Sequence, residues 1–228
     1  MSRVRTIVLG RRNDDMVWRH RVVLRRIGWF LLLVVVWPAQ AEESDHELTE
    51  ARTVFLRGVD GDKHAVREAL QRFRSLNQDH RGEPVYMAYL GACMTLQGRD
   101  ASNNIDKKRL TDEGLHEIDR ALELLSASDD KGSSRYLDTL LVAANSFIHI
   151  PSFFNRYERG KQLLQEILEH RDFNAMAAGF KAATYLTAAL VADGDGEESE
   201  YRRYLNLTVE ADPEGRDGRL ASKMLEER

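Results

Sequence analysis

The sequence predicts an all-α fold: a right-handed solenoid of about four antiparallel helix pairs, closed by a C-terminal helix. Three observations predict it. A small-x3-large-x2-apolar pattern recurs as Ala69/Phe73/Leu76, Gly114/Ile118/Ala121 and Gly160/Leu164/Ile167, in steps of 45 and 46 residues. Each copy lies on a helical stretch that follows another helical stretch across a polar break. No segment alternates apolar and polar residues as a half-buried strand would. A fixed period of this length, made of paired helices, is the sequence signature of a helical-repeat architecture.

The elements read in order as follows. Asp45 to Arg57 places Leu48, Ala51, Phe55 and Leu56 on one face, and Gly58 is its expected end. Asp60-Gly61-Asp62 is a turn with a capping residue, and the next helix runs to about Leu76 with Val66, Ala69, Leu70 and Phe73 inward. Pro84 suits the first turn of a third helix, Val85 to Leu96, which is strongly apolar. Gln97 to Lys108 reads as a hydrophilic break, after which helix resumes near Leu110 with Leu115, Ile118, Ala121, Leu122 and Leu125 inward. Asp129 to Ser133 is a turn, Tyr136 to Ile150 a helix, and Pro151 the junction to a helix ending near Glu169. Ala175 to Val191 is an Ala-rich helix, and Asp193-Gly194-Asp195-Gly196 separates it from Tyr201 to Val209. Pro213 opens a last short helix carrying Leu220, Met224 and Leu225.

The N-terminus has a different character. Ile27 to Trp37 is an uncharged run of 11 residues, preceded by Arg19, Arg21, Arg25 and Arg26 and followed by Pro38-Ala39-Gln40-Ala41. A basic region, a short apolar core and an Ala-x-Ala site describe a secretory signal peptide, residues 1–41, cleaved after Ala41. A membrane span needs about 20 apolar residues, so an uncleaved inner-membrane anchor is the alternative. Met1 and Met16 are both possible starts, because Met16 would open a basic region of ordinary length. The Arg25-Arg26 pair fits a twin-arginine signal poorly, which leaves general secretion to the periplasm or beyond as the expected route.

Composition narrows the function. The whole chain carries a formal charge of −4. Residues 1–41 hold eight arginines and two aspartates, so residues 42–228 keep 25 basic against 35 acidic side chains, net −10. All three tryptophans, Trp18, Trp29 and Trp37, also fall in the leader. An acidic domain of 187 residues is poorly suited to nucleic acid or anionic lipid, which call for basic patches. Cys93 is the only cysteine, so no internal disulfide can form, and its apolar neighbours Ala92 and Met94 mark it as a buried thiol.

Met87-x2-Leu90-Gly91 on one helix and Gly114-x3-Ile118-x2-Ala121-Leu122 on the next resemble a unit of the tetratricopeptide-repeat family. Gly91 and Gly114 carry no side chains to hold the two backbones apart, while Leu90 and Ile118 fill the space beside them. Ala69 and Gly160 repeat the second half of the pattern, and Ala211-Asp212-Pro213 is similar to the family's inter-repeat turn. The likeness spans about residues 46–226 and is most specific in the second pair. The period exceeds the family's 34 residues, with the excess assigned to the loop between Gly91 and Gly114; Tyr201 replaces the small residue in the fourth pair. HEAT and armadillo repeats fit the period as a second reading.

The residues suggest no chemistry. The histidines are scattered, none makes the H-E-x-x-H spacing that puts two metal ligands on one helical face, and His149 between Ile148 and Ile150 reads as a hydrogen-bonded helix-end residue. Asp193 to Glu197 looks like a calcium loop, but Glu198 and Tyr204 stand where an EF-hand needs Gly and Glu. No phosphate-cradling glycine loop or nucleophile elbow is present in the sequence. No catalytic residue, cofactor or metal is therefore expected.

Binding candidates are few. Asn145 is an amide within the apolar run that starts at Leu137; it either holds the backbone of an extended peptide, as the resemblance implies, or ties adjacent helices together. Tyr86 and Tyr89 suit either a wet groove or the core. The break at Gln97 to Lys108 is longer than a helix hairpin needs; it is either an inert insertion or a rim that holds a partner through residues such as Arg99 and Asn103. The expectation is an exported, non-catalytic scaffold that binds a protein or peptide partner in the bacterial cell envelope. The alternative is a periplasmic accessory factor or chaperone serving a client enzyme or transport complex.

Overall fold

The computed structural model describes residues 37–128 and 131–227, with side chains from His46 onward. The expected signal peptide up to residue 36, and residues 129–130 of the expected turn before α5, lie outside the described residues. From Glu47 onward the described residues form one compact unit. The described residues contain nine α-helices and no strand: α1 (Trp37–Val59), α2 (Lys63–Asp79), α3 (Pro84–Asp100), α4 (Asn104–Ser126), α5 (Ser134–His149), α6 (Tyr157–Glu169), α7 (Ala178–Asp195), α8 (Glu198–Ala211) and α9 (Arg216–Glu226).

The order of packing is that of a helical solenoid. Each odd-numbered helix from α3 onward packs on the even one before it, α3 and α5 touch directly, and so do α5 and α7. The last helix, α9, packs on both α7 and α8, which is what a capping helix must do. At the N-terminal end, three rings from three helices meet. Phe73 of α2 stacks on Tyr89 of α3 at 4.6 Å, and Phe55 of α1 packs edge-on against Tyr89 at 5.2 Å.

The recurring pattern is the buried seam of this fold. All nine of its residues, from Ala69 to Ile167, are buried. At the second pair the helices approach as closely as glycine allows. A Cβ on Gly91 would lie 2.5 Å from the carbonyl oxygen of Gly114, and one on Gly114 would lie 2.5 Å from that of Gly91. The third pair has the same contact with a different residue. A Cβ on Gly160 of α6 would sit 3.1 Å from the carbonyl oxygen of Ala144 on α5, so Ala144 takes the part of Gly91.

Capping explains several boundaries. Asp62 accepts from the backbone N–H of His64 and Ala65 (2.9 and 3.0 Å) at the start of α2, and Ser133 accepts from Tyr136 N–H (3.1 Å) at α5. Those bonds, with the neighbouring Arg57, hold the Asp62 carboxyl below its ordinary pKa. Pro84 occupies the first turn of α3, where a missing N–H costs nothing. Gly196 ends α7 with φ of 78°, the left-handed conformation that closes a helix.

The largest departure from expectation is the segment 97–108, which is helical almost throughout. α3 continues to Asp100 and α4 begins at Asn104, leaving only Ala101 to Asn103 between them. Gly98 permits this extension, because a Cβ there would run into Thr111 Oγ1 and lie 3.0 Å from the carbonyl oxygen of Lys107 on α4. The hydrophilic residues are outward helix faces, and Ile105 is 81% exposed. The long period therefore comes from long helices, 17 residues in α3 and 23 in α4, and not from a loop. Two smaller shifts go in opposite directions: α7 extends through Asp195, whereas α9 starts only at Arg216, with Pro213 left in the turn.

Candidate functional site

The odd-numbered helices α1, α3, α5 and α7 lie along one side of the solenoid, and several of the side chains that join them are polar. On α5, Asp138, Asn145 and His149 are spaced by seven and four residues and so share one helical face. Asp138 is the most unusual of them, a carboxylate with only 8% of its side chain exposed.

Asp138 is held from two neighbouring helices. Its Oδ1 accepts from the hydroxyl of Tyr89 on α3 (3.1 Å), and its Oδ2 pairs with Nη2 of Arg52 on α1. Arg52 Nε in turn donates to the Tyr89 hydroxyl (3.0 Å), and its guanidinium lies 5.6 Å from the centre of the Tyr89 ring. The hydroxyl thus accepts from a cation and donates to an anion, which keeps it protonated, and burial pushes the Tyr89 pKa up from its ordinary value. A buried carboxylate is tolerated when it is paired and fully hydrogen-bonded, and this one is. Arg52 keeps 34% of its side chain exposed, so the triad has one open side.

Asn145 forms the next link along the same face. Its Oδ1 lies 2.8 Å from Thr187 Oγ1 of α7, and that hydroxyl is also 2.8 Å from the carbonyl oxygen of Ala183. A hydroxyl has one proton and serves one of these acceptors at a time. Asn145 therefore bridges two helices while remaining part-exposed. The ring of His149 returns to the same residue, with Nδ1 2.8 Å from the backbone oxygen of Asn145.

The five residues singled out from the sequence do not form one site. Tyr89 and Asn145 lie in the polar row that runs across the odd-numbered helices. Tyr86 is fully buried, with the Arg135 guanidinium 5.7 Å over its ring and His80 at 5.1 Å. Arg99 donates to the carbonyl oxygens of Gly58 (2.9 Å) and Val59 (3.1 Å), fastening the end of α3 to the end of α1. Asn103 caps α4 by accepting from Asp106 N–H (2.9 Å), and its amide nitrogen donates to the Asp106 carboxylate, which together with Arg109 holds that carboxyl below its ordinary pKa. Arg99 and Asn103 are thus committed to the α3–α4 turn. Two shallow depressions flank that turn, of about 350 Å3 and about 510 Å3.

Arg52 and Asp138 were missed in the sequence. Asp138 left a signal, as an acid inside an apolar helix seven residues before Asn145. Arg52 left none, because an arginine on an amphipathic helix is ordinary until its partner is known. Cys93 is buried, and burial pushes its thiol pKa up, the opposite of what a reactive thiolate needs. Among the described residues, no three His, Cys, Asp or Glu side chains converge as metal ligands, and no helix is long and apolar enough to cross a membrane. Comparisons with protein-family models, with curated proteins and with solved structures find no significant match.

Proposed function

We propose that this chain is an exported, tetratricopeptide-like scaffold that binds a protein or peptide in the cell envelope through its inner helices and catalyses no reaction. The observation that carries the reading is the polar row on α1, α3, α5 and α7: Arg52, Tyr89 and Asp138, then Asn145 and Thr187. An extended peptide offers backbone N–H and C=O groups, and the part-exposed Asn145 amide and Arg52 guanidinium supply matching donors and an acceptor along one row. Export follows from the basic, apolar and Ala-x-Ala pattern of residues 1–41.

The test is affinity capture from envelope extract with the mature domain, repeated with Asn145→Ala. Loss of most of the captured partner, with the thermal midpoint little changed, supports binding on the inner face. Equal capture places the binding surface elsewhere. A thermal-shift series with nucleotides and metal ions tests the non-catalytic part, since a ligand at 100 times its Kd stabilises by about 2.7 kcal/mol. A shift of that size would direct attention to a cofactor-dependent activity.

A further inference from the structure

Repeat folds are close to one-dimensional: each helix touches its own partner and its neighbours, and the two ends have no reason to meet. The helix packing obeys that rule, but the ion pairs break it twice. Arg52 of α1 reaches Asp138 of α5, past α3. Further away, Arg216, the first residue of α9, pairs with Asp60 in the turn between α1 and α2, across 156 residues of sequence.

The geometry of the second pair is that of a clasp. Arg216 Nε lies 3.2 Å from both oxygens of Asp60, and its Nη2 also contacts Oδ1. Its remaining arm is held at home, with Nη1 2.5 Å from Asp217 Oδ1 in the same helix. Asp217 keeps only 14% of its side chain exposed, whereas Asp60 keeps 54%. The arginine is thus positioned by its own helix and offers its other edge to a solvent-facing partner at the opposite end of the fold. Among the described residues, the buried core of the first helices and that of α9 are separate clusters. A charge pair with an exposed partner is screened by salt, since the Debye length falls from about 10 Å at 0.1 M to about 3 Å at 1 M.

We infer that Asp60 and Arg216 form an electrostatic latch that joins the first turn of the solenoid to its last helix, closed at low ionic strength and released at high. The latch sets how far the inner row of α1, α3, α5 and α7 is open to a partner. That consequence rests on the scaffold reading above, but the latch itself does not.

The experiment measures the distance between the two ends in the full-length protein without any partner. Lys63→Cys and Lys223→Cys, both exposed, carry spin labels, while Cys93 is buried and stays unlabelled. At about 0.02 M salt a single short distance is expected, and at about 1 M a second, longer population. Asp60→Arg should show the longer population at both salts, and the double exchange Asp60→Arg with Arg216→Asp should restore the short one at low salt. Helical content by circular dichroism identifies any variant that fails to fold, and the salt series without substitution at Asp60 or Arg216 then decides. A distance that ignores salt, or folded Asp60→Arg and exchanged proteins that match the parent, would overturn the latch. If the latch responds but partner capture ignores salt and both variants, the latch stands and the inner-face reading fails.

Discussion

In the second helix pair α3 and α4 meet glycine on glycine, whereas in the fourth α8 presents Tyr201 to a helix of alanines. Gly91 and Gly114 lie so close that neither could carry a Cβ without striking the other's carbonyl oxygen. In the fourth pair Tyr201 is buried in a cluster with Ala189, Ala192 and Leu205. The third pair is intermediate, with Gly160 against Ala144. Each pair is packed without voids by a different combination of residues, and either helix can supply the small partner. The two pairs also differ at the start of their second helix. Asn103 caps α4 with its side chain, while Glu197 gives α8 no side-chain cap.

The largest effect should come from emptying the fourth seam. Tyr201→Ala removes a ring that is 3% exposed and leaves a cavity against the alanines of α7. A loss of about 3–5 kcal/mol is expected in urea denaturation, the range for deleting a buried aromatic ring. A loss below about 1 kcal/mol would mean that the alanines of α7 collapse around the gap.

Overfilling the second seam comes next. Gly91→Leu should cost about 1–3 kcal/mol. Gly91→Ala should also destabilise, even though alanine in a helix interior is worth about 1 kcal/mol over glycine. A stabilised Gly91→Ala protein would show that the two backbones do not approach as described.

The caps give smaller, opposite effects. Asn103→Ala should lose about 1 kcal/mol, while Glu197→Ser should gain about half of that by supplying the missing acceptor at α8. Equal responses at the two positions, read from denaturation midpoints, would remove this difference between the pairs.

The last effect is confined to alkaline pH. Tyr136 donates to Glu166 (2.6 Å), and burial together with that carboxylate pushes its pKa up to about 12. The unfolded phenol ionises near pH 10, so its contribution is fully present below pH 10 and is lost as pH rises toward 12. Denaturation midpoints taken from about pH 8 to 11 should fall, and Tyr136→Phe should flatten the decline. An unaltered slope would assign the decline to other groups, with Tyr89 the first to examine because burial raises it in the same direction.

The sequence by itself determined the helices and their seam. Apolar residues at helical spacing must turn one face inward, and a pattern repeated every 45 or 46 residues can be satisfied only by equivalent pairs. It also determined Gly91 opposite Gly114, because the absence of a side chain is visible in one dimension. The extent of α3 and α4 was not visible. A polar stretch reads alike as a loop or as the outer face of a long helix until packing at Gly98 and the cap at Asn103 decide between them. The grouping of the charged side chains was decided by tertiary structure alone. Arg52, Tyr89 and Asp138 are 37 and 49 residues apart, and Asp60 and Arg216 are 156 apart. Coulomb attraction acts through space and leaves no period along the chain, so only the packing of the helices could bring those charges together.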